Sequence, residues 1–361
     1  MKVMTIVGTR PDLIKMWSVL KKLDELKFNH IFVHTGQNST KELKDFFFQD
    51  LELRQPDYYL NIDTSSYGKE VADVIRKTDE LFLKVKPDAL LILGDTFSCL
   101  SVLPASHRGI KIFHMEAGLR AWDKRMPEQR NRILIDHMSD VLLPFHSHHR
   151  DNLIREDIHP SKIFITGNPT FETMRAFQEQ IKASSILKKL KIKPKEYIAM
   201  TAHRSENVDD PKTLQAILDG AGLVAKKHKV EIIYPMHPRT KSKMRGIRVP
   251  KGIRIINPLG FYDFNHLQSN ALCLMADSGT TPEEGLFYKV PCVSIRQSCE
   301  RYETIEAGAH IVSGTNKEQI AAAVGVAIKL SWNARYDFYE DMSPGNVVIN
   351  VLQSQMHHFF E

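Results

Sequence analysis

Short apolar runs alternate with amphipathic stretches along the whole chain, and this alternation constrains the fold more than any other feature. The first half carries VMTIV, HIFVH, ALLILG, IKIFHME, DVLLP and KIFIT. The second half repeats the theme with YIAMT, VEIIYP, IRIIN, ALCLMAD, PCVSI and AHIVS. Between them lie helical patterns such as LIKMWSVLKKLDEL and TLQAILDGAGLVAKK. Strands separated by helices cannot pair as hairpins, so the pattern predicts parallel sheets covered by helices on both faces. Two sets of six runs predict two doubly wound, Rossmann-like α/β domains facing one another across a cleft. A chain of 361 residues is long for one core and suits two. The expected domains are 1–170 and 171–342, joined near the polar, basic segment QEQIKASSILKKLKIKPKEY. A last helix over 343–361, entered at Pro344-Gly345, is expected to pack back on the first domain.

Composition excludes several classes. With 42% hydrophobic and 25% charged residues the chain needs no covalent staple. Its four cysteines, Cys99, Cys273, Cys292 and Cys299, form no C-x-x-C pair, which argues against a zinc or redox motif and for reduced thiols in a cytoplasm. No run approaches the length of a membrane span, and the opening apolar run is too short for a secretory leader. The net charge of +6 is dispersed, with local runs at LKKLKIKPK and KKHK. These read as solvated faces and a linker rather than a nucleic-acid patch, while a mild positive excess suits a small anionic ligand. GAGLVA at 220–225 spells a dinucleotide loop but lies inside a helical pattern, whereas such a loop follows a strand. HSHH at 146–149 invites a metal, but no other ligand spacing supports one, and a helix start is the plainer reading. The Asn38-Ser39-Thr40 sequon has no meaning in a cytoplasmic chain, and MHHFF near the end reads as surface and packing.

The chemistry-bearing residues collect where strands end. Arg10, Asp95, Glu116, His203, His237 and Asp277 each follow or close an apolar run. In open α/β sheets that edge is the ligand crevice. Gly8 lets the chain turn after the first strand, and Pro11 suits the start of the next helix. Asp95, Glu116 and Glu128, brought to one crevice, would push their pKa values apart and so hold a proton donor beside an acceptor. Plainer roles exist for each: Asp95 as a helix cap, Glu116 paired with Arg120, Glu128 paired with Arg130 or Arg132. In the second half, Ser278-Gly279-Thr280-Thr281 follows a strand and opens a helical pattern, so its backbone N–H groups can bind phosphate. Glu284, one turn on, is placed to accept ribose hydroxyls. Arg301 can reach the same phosphates.

GTRPDLIK, GDT, HMEAGLR, PEQRNR, AHRSEN, DSGTTPEE and CERYE, in that order, span nearly the whole chain. Through them the sequence resembles the non-hydrolysing UDP-N-acetylglucosamine 2-epimerase family. The resemblance implies a glycosyltransferase-B-like fold, a UDP-sugar as substrate, a homodimer, and no metal or other cofactor. It casts Asp95, Glu116 and Glu128 as the proton-handling group. Arg10, His203 and Arg301 become pyrophosphate stabilisers, with Lys15 either joining them or holding a carboxylate. Arg204, His237, Ser278, Gly279, Thr280 and Glu284 fall among the substrate-binding positions, and Phe264 at the position near the uracil. The implied reaction eliminates UDP across C1–C2 to a bound glycal, then re-adds it after protonation of the opposite face of C2.

The chain departs from the family pattern at Gln129, where a second Glu is common, in the compact AWDKRM loop, and in DSGT where DSGG is usual. GQNS keeps only part of the pattern of the family's allosteric site. The spellings LGFYDFNHLQSNA and HMEAG lie closer to a branch acting on UDP-2-acetamido-2,6-dideoxy-L-hexoses. A glycosyltransferase of the same fold, a hydrolysing epimerase and a non-catalytic UDP-sugar sensor are the remaining readings. Three carboxylates beside Arg10 argue against the transferase and the sensor.

Overall fold

The structure is a computed structural model, and it describes residues 1–36, 48–123, 126–330 and 342–356. The sequon, all of GQNS beyond Gly36, Lys124-Arg125 of the compact loop, and HHFF lie outside these residues. The chain divides into two compact units, Met1–Ala176 with Phe338–Glu361, and Phe177–Asp337.

The first unit is built on a six-stranded sheet: β1 (Lys2–Val7), β2 (Asn29–His34), β3 (Tyr58–Tyr59), β4 (Ala89–Leu93), β5 (Lys111–Met115) and β6 (Val141–Leu143), in the order β3-β2-β1-β4-β5-β6. The second carries β7 (Tyr197–Thr201), β8 (Glu231–Pro235), β9 (Ile253–Ile256), β10 (Cys273–Ala276), β11 (Cys292–Ser294) and β12 (His310–Val312), in the order β12-β11-β10-β7-β8-β9. All pairings are parallel. Counted from its own first strand, each sheet has the doubly wound 3-2-1-4-5-6 order of a Rossmann domain. Each therefore has one switch point, between β1 and β4 in the first unit and between β7 and β10 in the second.

Every residue of β4, β5 and β10 is buried, as expected of strands covered on both faces. Met4, Ile6, Val33, Leu90, Ile92 and Ile112 pack with Phe82 from the helix Tyr67–Val85. In the second unit the helices Pro211–His228 and Lys317–Ala327 pack together over the sheet. Gly220 permits that approach, since a Cβ there would sit 3.0 Å from Ile320 Cδ1. GAGLVA is thus mid-helix packing, not a cofactor loop. The helix Pro344–Gln355 packs on the helices Arg10–Glu25 and Pro169–Ala176. Its Gly345 N–H donates to Glu172 Oε2 at 2.9 Å, and Lys111 Nζ donates to its last carbonyl, Gln355 O.

Two local features differ from the sequence pattern. Tyr58–Tyr59 forms a two-residue edge strand that no apolar run announces. KIFIT is not a strand: Ile163 makes one bridge to Leu142, and the chain then follows β6 through Phe164 N to Leu142 O and Thr166 N to Pro144 O, both 2.9 Å.

Candidate active site

In the first unit the site begins at the turn after β1. Asp12, buried in the first turn of the helix Arg10–Glu25, accepts from Gly8 N and Thr9 N at 2.9 Å through Oδ2, and from Thr9 Oγ1 at 2.9 Å through Oδ1. This reciprocal cap satisfies the free N–H groups of the turn and fixes where Arg10 starts the helix. Burial lowers the pKa of Arg10 and pushes Asp12 up to about 6, against its hydrogen bonds and nearby Lys15. The sign matters for stability. An acid whose folded pKa is raised stabilises the fold fully below its unfolded value near 4, and that contribution fades as pH rises through about 6. Asp12→Asn is expected to flatten the pH dependence of the unfolding free energy between pH 4 and 6.5, by up to about 3 kcal/mol. Denaturant titrations at the two pH values check this, and equal slopes in both proteins would refute it.

Glu116 directly follows β5 in the left-handed region, with φ +64°. That conformation costs a non-glycine residue about 1–2 kcal/mol. Its N–H donates to Leu143 O at 3.1 Å, so the turn is tied to β6. Its carboxylate receives Lys15 Nζ, and both side chains are buried. Of the two roles open to Lys15, the geometry shows it gripping a carboxylate. Lys15 also lies 5.8 Å from the centroid of the Phe145 ring. Arg120 is not the partner of Glu116. It is fully buried, paired with Asp136 at 2.7 Å and gripping Glu156 through Nε at 2.8 Å and Nη2 at 2.6 Å. Gly118 has φ +76°, and a Cβ there would sit 2.1 Å from His149 O, so only glycine fits between the site loop and the helix Ser147–Arg155. HSHH opens that helix, with His146 as its N-cap accepting from His148 N at 3.3 Å.

Asp95 follows Gly94 at the end of β4. Arg132 Nε donates to its Oδ2 at 2.5 Å, and Asn131 Nδ2 to its backbone oxygen at 3.0 Å. Glu128 stands in the first turn of the same helix, Pro127–Met138. Gln129, at the departure from the family pattern, accepts from Ala121 N at 2.7 Å through Oε1. A carbonyl oxygen performs that task as well as a carboxylate.

The second unit builds its site on Asp277, fully buried at the end of β10. Its Oδ2 accepts from His203 N at 2.8 Å, Arg204 N at 2.9 Å and Asn207 Nδ2 at 3.1 Å. Oδ1 lies 3.3 Å from His203 Nδ1. One carboxylate thus ties the loop after β7 to the loop after β10, across the switch point. The rings of His203 and His237 have centroids 5.5 Å apart. His237 Nδ1 accepts from Arg239 N at 3.2 Å, which leaves Nε2 as the donor of its neutral form. Ser278-Gly279-Thr280 leads into the helix Thr281–Tyr288. Thr280 N donates to Ser278 Oγ at 3.3 Å, and a Cβ on Gly279 would come within 3.1 Å of Glu300 Oε1. Glu284 is buried in that helix. Arg301 is buried with Nη1 3.0 Å from Glu283. Phe264 is half-buried on the helix Phe261–Ser269, a separate element of the same unit.

Each unit thus gathers charged side chains at the switch point of a Rossmann sheet, the place where an open α/β enzyme binds its ligand. Comparison with known proteins makes the class specific. The family model described as UDP-N-acetylglucosamine 2-epimerase matches residues 21–353. A UDP-N-acetylglucosamine 2-epimerase of Methanococcus maripaludis is 35% identical, covering 97% of this chain and 98% of that protein. A UDP-2,3-diacetamido-2,3-dideoxy-D-glucuronate 2-epimerase of Pseudomonas aeruginosa is 31% identical over 91% of this chain and 92% of its own. The crystal structure of the Methanocaldococcus jannaschii UDP-GlcNAc 2-epimerase with UDP-GlcNAc and UDP superposes with TM-score 0.93 at 32% identity, covering 98% of this chain and 100% of that one. A glycosyltransferase of Rickettsia africae, 14% identical with TM-score 0.53, shares the fold alone. The chain belongs to the UDP-N-acetylglucosamine 2-epimerase family and is an isomerase with two Rossmann-like domains.

Proposed function

We propose that this enzyme inverts C2 of a UDP-N-acetylhexosamine of the UDP-GlcNAc/UDP-ManNAc type by elimination and re-addition of UDP. The observation that carries this reading is the carboxylate set of the first unit. Asp95 and Glu116 follow neighbouring strands, each gripped by its own cation, Arg132 or Lys15, while Glu128 stands on the helix that supplies Arg132.

The C2 proton of a pyranose is not adjacent to a carbonyl, so its direct removal is too costly. Breaking the C1–O bond first puts positive charge on C1 and makes that proton acidic. The bonding pair leaves with the pyrophosphate oxygen, the proton passes to a carboxylate, and C1=C2 forms. Return of a proton from a second carboxylate to the other face, with re-addition of UDP at C1, completes inversion. The steps are redox-neutral and call for no nicotinamide. Asp95, Glu116 and Glu128 handle the protons. Arg10 and His203 stabilise the departing pyrophosphate, with Arg204 and His237 beside His203. The Ser278–Thr280 loop and its helix N-terminus hold phosphate, Arg301 adds charge through the first turn of that helix, Glu284 receives the ribose and Phe264 packs near the base. The family resemblance extends the proposal to a cytoplasmic homodimer supplying cell-surface polysaccharide synthesis.

A second reading takes UDP-2-acetamido-2,6-dideoxy-L-talose as substrate. It is supported by the spellings LGFYDFNHLQSNA and HMEAG and by the compact loop. NMR in D2O separates the readings. Epimerised UDP-GlcNAc with deuterium at C2 and UDP retained is the expected result. Exchange with the 6-deoxy-L-sugar alone would move the assignment there. Stoichiometric free UDP and free sugar would point to a hydrolysing enzyme, and no exchange with either sugar would refute the reaction.

A further inference from the structure

The helix Pro127–Met138 is unusual in what it buries. Gln129, Arg132 and Asp136 are buried, while Arg130, Ile133 and Leu134 are exposed. Its inner face is therefore largely polar, with Ile135 as an apolar member. Glu128, Arg132 and Asp136 recur at i, i+4 and i+8, which places them along one face of a helix.

Asp136 makes the most far-reaching contacts. Its Oδ2 accepts from Gly118 N at 3.1 Å and meets Arg120 Nη1 at 2.7 Å. Its Oδ1 lies 2.8 Å from His114 Nδ1. The other ring nitrogen of His114 lies 2.8 Å from Gly94 O. That carbonyl can only accept, so Nε2 donates to it, and Nδ1 faces the Asp136 carboxylate. Burial pushes Asp136 up, but His114 and Arg120 outweigh it and hold the group below the usual carboxylate range. One end of this chain is Gly94, the residue before Asp95; the other is Gly118, two residues past Glu116.

We infer that Asp136 and His114 form a buried brace that fixes the relative position of Asp95 and Glu116, and that both are positioning residues for the reaction. The physical ground is geometric. The two carboxylates lie on loops after different strands, and the brace is a hydrogen-bonded link between those loops in which a displacement at one end reaches the other. The same helix adds Arg132 on Asp95, Asn131 on the Asp95 carbonyl and Gln129 on Ala121, so one rigid element registers the carboxylate set.

The inference rests on the reading of Asp95 and Glu116 as proton-handling groups, and the test separates the two. His114→Phe, His114→Gln and Asp136→Asn are compared with the unaltered enzyme by kcat and KM per UDP-binding chain, and by crystal structures. Counting UDP-binding chains removes any loss due to misfolding. H114F, which offers neither ring nitrogen, is expected to lose about 100-fold in kcat, the order expected of an ångström-scale misplacement, with KM little changed. H114Q, whose amide can still donate to the Gly94 carbonyl, should recover part of that loss. It serves as the test if H114F or D136N does not fold. In the crystal structures Asp95 or Glu116 should move by more than about 0.5 Å. Variants that fold, keep kcat per UDP-binding chain and leave both carboxylates in place overturn the brace. An unaltered enzyme that fails to epimerise would instead overturn the function, while the displacement of Asp95 or Glu116 would still decide the brace.

Discussion

Glu116→Gln is expected to lower kcat for C2 epimerisation by about 10²–10⁴-fold while leaving UDP affinity nearly unchanged. The substitution preserves shape. A carboxamide still accepts from Lys15 Nζ, the backbone bond from residue 116 to Leu143 O is kept, and glutamine tolerates the φ of +64° as glutamate does. The capacity to take or return a proton is lost, together with the negative charge that faces the buried Lys15 ammonium. Left-handed backbone at a residue that is not glycine is strain, and strain is retained where surrounding structure over-determines it, often at functional sites. Here Leu143 O and Lys15 hold the residue from two sides. Apart from Arg10, the proposed UDP-binding groups, among them His203 and the Ser278–Thr280 loop, belong to the other unit, so calorimetric titration with UDP reports chiefly on them. Lost UDP binding would mean that Glu116 is a binding or folding residue. Unchanged turnover would remove it from the proton-handling set.

The sheet strands were largely legible in the sequence because parallel strands buried on both faces read as unbroken apolar runs. ALLIL and CLMA are the clearest cases. The exceptions lie at the edge of the first sheet. Tyr58–Tyr59 is too short to make a run, and KIFIT has the composition of a strand but only one bridge to β6. Asp95, Glu116, His203 and Asp277 stood out because a charge directly after such a run marks the sheet edge. Their partners were hidden. Sequence proximity pointed Glu116 to Arg120, but Arg120 turns inward to Asp136 and Glu156, and the actual partner lies 101 residues away.

His114 and Asp136 carry no such signal for a different reason, and Arg132, which the sequence offers as a partner for Glu128, binds Asp95 instead. Apolar periodicity finds helices that bury oil, whereas the helix Pro127–Met138 buries Gln129, Arg132 and Asp136. The signal is present as polar residues repeating every three or four positions behind a proline, and it becomes meaningful only once the opposite face, with Ile133 and Leu134, proves exposed. Buried polar residues at helical spacing cost desolvation unless each finds a partner, and here each has one. Such a helix is a candidate scaffold for a site rather than a failed amphipathic helix.

Lys15→Met should destabilise the protein by about 3–5 kcal/mol, the usual cost of removing one member of a buried ion pair. The methionine fills much of the same volume beside Phe145, so cavity formation contributes little, and the cost arises from a Glu116 carboxylate buried without its ammonium. Lys15 also lies close enough to Asp12 to lower its pKa, so the helix cap loses a favourable charge as well. Adding Glu116→Gln to Lys15→Met removes the stranded charge and should restore a good part of the lost stability, giving a coupling of about 0.5–3 kcal/mol between the two positions. Urea unfolding of the four proteins in the cycle measures this. Lys15→Arg should not substitute fully, because a planar fork cannot occupy the place of a compact ammonium in a close-packed site. Additive effects would mean that the pair is a bystander and that Lys15 acts elsewhere, for example on pyrophosphate, in which case Lys15→Met would weaken UDP-sugar binding while stability stayed near that of the unaltered protein.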